Sequence, residues 1–293
     1  MTDEPLVTNV SDTARWVAVH RAVESARPDA LFHDSLAGLL AGTRGREIAE
    51  AARREIADDW FLVARTKQID DRVADAVRAG CDLVVNLGAG LDTRPYRMDL
   101  PTELEWIEVD LPGLIEEKNS LLADQVPRCQ LTRVAVDVTD HVALTAFLDA
   151  TLEGVHQALI LSEGLVMYLD DDSVAALASA LRRPQVAGWC LDFSAAGVAQ
   201  LMVDRNEGLL QRAPWTFLPA DGVAFFEALG WRVEYLESIF AAAGRLDRLS
   251  SDALEGLAGP QPDPRAPGQS PYSGVVELTP ETRWRPQGKH AEQ

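Results

Sequence analysis

Lysine is almost missing from this chain. Only Lys67, Lys118 and Lys289 occur, and 27 Lys and Arg together face 46 Asp and Glu, a formal net charge of −19. The basic residues are scattered and offer no surface to a phosphate backbone, so nucleic acid is not an expected partner. Cysteine is scarce too. Cys81, Cys129 and Cys190 are odd in number and far apart, with no CxxC pair or completing histidine, which argues against a disulfide framework and a zinc site. No apolar run approaches a membrane span, and the opening MTDEPLVTNVSDTARW lacks a basic stretch followed by an apolar one. These absences lead to the expectation of a soluble, cytoplasmic protein, monomer or homodimer, with reduced thiols and no metal.

What is present fits one large domain. With 293 residues the chain can bury a full core without staples. Residues 1–80 read as a helical N-terminal cap of that domain: SDTARWVAVHRAVE opens with a Ser/Asp cap signal, DALFHDSLAGLLAG ends in Gly42, and Arg65 to Ala79 carries apolar residues at helical spacing. From Cys81 short apolar runs alternate with helix-like segments near 114–122, 142–152 and 172–182. The runs are CDLVVNL, ELEWIEVD, CQLTRVAVD, HQALILSE and GWCLDFS, the pattern of βαβ units and a mostly parallel sheet with helices on both faces. Beyond Ser194 the pattern weakens to a helix in DGVAFFEALG, a strand in WRVEYLES and a last edge strand in YSGVVELT. Residues 195–220 are a candidate lid, and GPQPDPRAPGQSP (259–271) reads as a mobile surface loop because its prolines cannot join a central ladder.

In an open parallel sheet ligands bind beyond the carboxyl ends of the strands. Here the first run ends in Gly88-Ala89-Gly90, the second in Asp110, the third in Asp137 and the fourth in Glu163. Asp110 lies 20 residues after Gly90, the spacing of a carboxylate that accepts from a ribose diol, although a loop or helix-cap role is the alternative. Asp137 could accept from an adenine amino group while the Val138 N–H donates to a ring nitrogen; a cap is again the competing reading. Glu163, with Gly164 beside it, suits a cationic group at close approach. A dinucleotide would want a third glycine and few carboxylates, whereas this turn runs G-A-G-L-D-T. An acidic, phosphate-free edge favours S-adenosylmethionine, which carries a sulfonium and an amino group.

ARTKQIDD (64–71), NLGAGLDTRPYR (86–97), WIEVDLPGLIEEK (106–118), VAVDVTD (134–140) and SEGLVMYLDDD (162–172) closely resemble the leucine carboxyl methyltransferase family, in particular its bacterial branch of S-adenosylmethionine-dependent O-methyltransferases; RPDALFHDSLA (27–37) also resembles that branch. The resemblance spans roughly residues 13–185. It implies a class I methyltransferase, Rossmann-like sheet with added N-terminal helices that help close the site. It places Arg65 at the methionine carboxylate, Gly88, Ala89 and Gly90 in the cofactor turn, Asp110 and Leu111 at the ribose, Asp137 and Val138 at the adenine, and Glu163 beside the methionine part. Arg21 is a weaker cofactor candidate. On its own grounds Arg65 shares a helix face with Ile69 and Val73 and so needs an anion inside, a ligand or a structural partner such as Asp92 or Asp110. Arg94 could pin the glycine turn.

The expected reaction is methyl transfer to an oxygen of a small, natural-product-like acceptor, with a carboxylate ahead of a phenol because it arrives ionised. Arg65 and Tyr168 are the positioning candidates, Tyr168 having a core role as its alternative. His33 is the candidate base for a phenol, unless it pairs with Asp34 or is simply exposed. The aromatics at 215, 217, 225, 226 and 231 either line an acceptor pocket or pack the core. A nicotinamide-dependent oxidoreductase and a non-catalytic cofactor-binding module are the competing functions.

Overall fold

The chain is described as a computed structural model for residues 10–53, 60–205, 213–249 and 258–281. Three helices come first: α1 (Val10–Ser25), α2 (Ala37–Arg53) and α3 (Trp60–Arg78). The stop foreseen at Gly42 takes the form of a kink. Gly42 adopts φ 59°, outside helical space, and helix continues beyond it.

The alternating region then delivers β1 (Leu83–Leu87), α4 (Arg94–Arg97), β2 (Glu105–Asp110), α5 (Pro112–Leu121), β3 (Gln130–Ala135), α6 (His141–Thr151), β4 (Ala158–Ser162), a 3-10 turn (Val166–Tyr168), α7 (Asp171–Ala180) and β5 (Val186–Ser194). Carboxylates start the later helices. Asp140 accepts from the backbone N–H groups of Val142 and Ala143, and Asp170 from that of Ser173. Beyond β5 lie α8 (Ala196–Arg205), α9 (Ala224–Ala228), β6 (Trp231–Ser238), α10 (Ile239–Arg245) and β7 (Ser273–Pro280).

The seven strands lie in the order β3-β2-β1-β4-β5-β7-β6, the first five parallel and β7 antiparallel to both its neighbours. The last strand is therefore not the edge it was expected to be. β7 inserts between β5 and β6, all its residues but Glu277 are buried, and β6 takes the edge with a more exposed, polar-studded pattern. Chain position misleads here because a hairpin partner can double back into the interior.

Strand alternation divides the core. Leu83, Val85, Leu87, Ile160, Trp189, Leu191 and Phe193 pack toward α6 and α7, whereas Val84, Leu159, Leu161 and Cys190 pack toward α3 and α10. On β5 that period places Asp192 on the same face as Cys190, toward α3. The 258–271 segment is tied down at several points: Val223 N–H donates to the Pro264 carbonyl, Gly268 N–H to that of Ala220, and Arg265 pairs with Glu227. Of the candidate lid, residues 206–212 lie outside the described residues.

Candidate active site

The chain runs outward from β1 through β2 to β3, then crosses back to β4 and β5 on the other side. Between β1 and β4 the strand order reverses, and beyond those carboxyl ends lies a cavity of about 340 Å³, at the small end of the range for small-molecule sites. Gly88, Ala89, Gly90, Asp110, Leu111, Asp137, Val138, Glu163, Arg65 and Tyr168 all line it, as does Arg21. His33 does not. It is exposed, its Nδ1 lies 3.3 Å from the Ser25 carbonyl, and Asp34 turns away from it to Arg21 and Thr93. The base role for His33 is withdrawn on that geometry.

The turn after β1 needs its glycines. Gly88 has φ 64° and Gly90 φ 49°, and a Cβ on Gly88 would stand 2.9 Å from the Leu165 side chain. Gly90 N–H donates to Asp110 Oδ2 at 2.7 Å and Leu111 N–H to Oδ1 at 2.8 Å, which fixes the carboxylate at the end of β2 while each oxygen keeps a lone pair. Asp110 caps nothing: Leu111 is the residue at the N-cap of α5, without a side-chain cap bond. Burial pushes the Asp110 carboxyl above its ordinary value, and the two N–H groups only partly oppose that. Asp137, exposed, accepts through Oδ1 from Thr139 N–H and Oγ1 in a local Asx turn, while the cap of α6 belongs to Asp140.

Across β1 the arrangement is different. Arg65, 7% exposed, donates from Nε to Glu163 Oε1 and from a terminal nitrogen to Asp192 Oδ2, both at 3.0 Å. Its partners are thus Glu163 and Asp192, and neither Asp92 nor Asp110. Arg94, 1% exposed, binds Asp70 at 2.7 Å, Asp92 at 3.0 Å and Glu163 at 2.8 Å. Arg97 closes the group on Asp70. Burial would push the Glu163 carboxyl up, but Arg94 and then Arg65 outweigh it and hold the group below the usual glutamate range. Asp192 stays above its ordinary value because burial exceeds what Arg65 returns. Asn86 joins the network by donating to Asp92 at 2.8 Å, so Arg94, Asn86 and Asp92 pin the glycine turn together.

Sequence reasoning missed two parts of this site. Asp192 and Asp70 are invisible to a search of residues that follow the strands, since Asp192 lies inside β5 and Asp70 on α3. A lone aspartate in GWCLDFS was the available signal, because a carboxylate in a central strand needs a cation. The second part is most of the far wall, Thr13, Trp16 and Val17 of α1 with Phe61 and Met167, to which the expected pocket candidate Trp215 is added. Of the aromatics expected either at an acceptor pocket or in the core, Trp215 lines the cavity, whereas Phe217, Phe226 and Trp231 are fully buried in the core. Arg21 reaches the cavity already bound to Asp34 (2.8 Å) and the Leu91 carbonyl (2.6 Å), which latches α1 to the turn.

These residues suit an adenosyl sulfonium and not a pyrophosphate. The charges of the cavity arginines are balanced by buried carboxylates, which leaves little positive field for a pyrophosphate, and the helix after the glycine turn has only four residues, too short to present an anion-binding N-terminus. Carboxylates fixed at the ends of β2, β3 and β4 offer acceptors for a diol, an amine and a cation.

Comparison with known proteins agrees. Residues 14–182 match the family model described as Leucine carboxyl methyltransferase. A Streptomyces coelicolor protein, assigned by name to the S-adenosyl-L-methionine-dependent methyltransferases, is 33% identical over 236 residues, covering 75% of this chain and 82% of its own length. A Frankia alni protein with the same assignment is 34% identical over 253 residues, 80% of this chain and 87% of its own. In fold, the crystal structure of a DUF574 family protein from Streptomyces avermitilis superimposes with a TM-score of 0.59 at 15% identity, over 92% of this chain and 97% of that one. The oxidoreductase alternative falls with this match. The chain belongs to the leucine carboxyl methyltransferase family of S-adenosylmethionine-dependent methyltransferases, on a class I methyltransferase fold.

Proposed function

We propose that the protein methylates an oxygen of a small, natural-product-like acceptor, with a carboxylate as the preferred oxygen. One observation carries this preference. Among the described residues, no group at the acceptor end of the cavity is fit to deprotonate a phenol. No histidine lines the cavity, Glu163 is held below its ordinary value by two arginines, and Tyr168 is pushed above its own by burial. Asp110 and Asp137 belong to β2 and β3, and β2 lies about 10 Å from β4 by two strand spacings. A phenol, with a pKa near about 10, would find no base, whereas a carboxylic acid is ionised near neutrality without one.

S-adenosylmethionine, when bound, supplies an electrophilic methyl group on a sulfonium. In this reading Asp110 accepts from the ribose, Asp137 and the Val138 N–H recognise the adenine, and Gly88 to Gly90 admit the adenosyl group close to backbone. Glu163 presents negative charge toward the methionine portion, and Arg65 faces its carboxylate from behind Gly164. Trp16, Phe61 and Trp215 exclude water around the acceptor. Positioning supplies most of the acceleration, because an in-line displacement on an ionised oxygen asks mainly for orientation.

Titration calorimetry with S-adenosylmethionine, S-adenosylhomocysteine and NAD, on the protein and on Asp110→Ala, tests the cofactor site. Binding of both adenosyl compounds, none of NAD and loss in the variant are expected. Adenosyl binding indifferent to Asp110 would remove the ribose assignment. An acceptor screen read by mass spectrometry then separates the oxygens: methyl esters from carboxylic acids support the preference, and methyl ethers from phenols alone overturn it. Cofactor binding with no methylated product from a broad panel would favour the non-catalytic module.

A further inference from the structure

RPDALFHDSLA, residues 27–37, contributes nothing to the cavity lining, yet its aspartate gathers three parts of the protein around one carboxylate. Asp34 Oδ1 accepts from the backbone N–H groups of Leu36 (3.2 Å) and Ala37 (3.0 Å), where α2 begins. Its Oδ2 accepts from Arg21 Nε of α1 at 2.8 Å and from the Thr93 hydroxyl, at the end of the glycine turn, at 2.5 Å. Each oxygen holds two donors, so no acceptor capacity remains for a ligand. Burial would raise this carboxyl, but Arg21 and the Thr93 hydroxyl outweigh it and hold the group below its ordinary value.

Thr93 is the unusual partner. It stands at the N-cap of α4, where a threonine oxygen ordinarily accepts from the first helical N–H groups, and its side chain makes no such bond. Its hydroxyl proton goes instead to a carboxylate 59 residues earlier in the chain. Asp92 and Arg94 on either side line the cavity, whereas Thr93 does not. Arg21 carries the link onward: with Thr13, Ala14 and Val17 it forms one face of α1, and all four line the cavity. Its guanidinium holds both Asp34 and the Leu91 carbonyl of the turn, the latter at 2.6 Å. The setting of that helix face is therefore tied to the turn after β1.

We infer that Asp34 is a positioning residue for methyl transfer: through Thr93 and Arg21 it ties the α1 wall to the cofactor turn, so that filling the turn fixes the wall the acceptor meets. This rests on the cofactor reading of the turn and on α1 facing the acceptor. A turn packed against an adenosyl group loses freedom, and a helix bonded to that turn loses freedom with it. Less disorder is then left for the acceptor to remove when it binds.

The test is hydrogen–deuterium exchange of the full chain, read by mass spectrometry with and without S-adenosylhomocysteine at saturation. In the unaltered protein the ligand should slow exchange about 5-fold or more both in peptides of the turn, residues 86–98, and in peptides of α1. Thr93→Val, which keeps the volume and removes the hydroxyl, should keep the slowing at the turn and lose it in α1. Thr93→Ser, which returns the hydroxyl, should restore it. A merely structural hydroxyl would shift the baseline exchange of α1 and leave the ligand's increment in place. Asp34→Asn keeps one oxygen for α2 and should match Thr93→Val, which covers a valine variant that does not fold. Arg15→Gln, which cuts the separate ion pair of α1 with Glu117, should keep the increment. An α1 that the ligand never protects, protection that persists in both Thr93→Val and Asp34→Asn, or its equal loss in Arg15→Gln overturns the inference. Loss of ligand binding in Thr93→Val alone would put Thr93 in the cofactor site and overturn it too. Failure of the unaltered protein to bind S-adenosylhomocysteine would overturn the cofactor reading and the inference with it.

Discussion

On the β2 and β3 side of the cavity, Asp110 and Asp137 are held by neighbouring backbone N–H groups and a threonine hydroxyl, whereas on the β4 and β5 side Glu163 and Asp192 are bound by arginines inside a buried ionic cluster. The first side keeps acceptor capacity for a ligand. The second has satisfied its charges internally and offers a fixed field and a fixed shape. One cavity thus joins a half whose carboxylates keep open acceptor positions to a half whose carboxylates are ion-paired within the protein, and substitutions should separate the two: affinity suffers mainly on one side, stability mainly on the other.

The largest effect should come from Arg94→Met. It strips a cation from Asp70, Asp92 and Glu163 together, at a cost of about 3–5 kcal/mol and a fall in the unfolding midpoint of about 6–15 °C by calorimetry. A fall below about 2 °C would break the comparison. Gly164→Ala should cost less, about 1–3 kcal/mol, because Gly164 has φ 63° and its added Cβ would stand 3.3 Å from the Arg65 guanidinium. The damage should again appear as lost stability, read in urea.

Acid sharpens the contrast. Glu163 titrates below its ordinary range in the folded state, so its contribution is present above the unfolded value and is lost as pH falls from about 5 through the depressed one. Asp110 behaves oppositely: its folded value is raised, so its charge disfavours folding near neutrality and acid relieves that. Glu163→Gln should therefore flatten the acid loss of stability measured by urea unfolding between about pH 3 and 6. Asp110→Asn should leave stability equal or slightly higher at neutral pH while weakening S-adenosylhomocysteine about 10-fold or more by calorimetry. His33→Ala, outside the cavity, is the smallest change: methyl transfer within about twofold and stability within about 0.5 kcal/mol.

Much of this was legible in the sequence for a physical reason. The parallel strands announce themselves because short runs rich in apolar residues alternate with helix-like segments, and the glycine turn or carboxylate that follows each of the first four lines the cavity. WRVEYLES became β6 with its expected bounds, Trp231 to Ser238. Charges that meet across long sequence separations were not legible. The contact of Arg65 with Asp192 spans 127 residues and arises from a helix face meeting a strand face, which no local pattern encodes. The place of β7 was hidden likewise, since alternation states that a strand is half or fully covered and never by which neighbour. Trp16 and Phe61 escaped because they read as core, and Trp215 stood open between pocket and core until the cavity placed it.

The insertion of β7 between β5 and β6 has a consequence for synthesis. β6 emerges from the ribosome well before β7, and until residue 280 is available β6 has no neighbour in the sheet while β5 presents an open margin. The parallel half can form as it is made; the antiparallel half waits for its middle strand. Nascent chains arrested before residue 273 should accordingly hold a stable β1–β5 nucleus with an exposed strand margin open to chaperones or to a second nascent copy, and release past β7 closes that margin in a single late step.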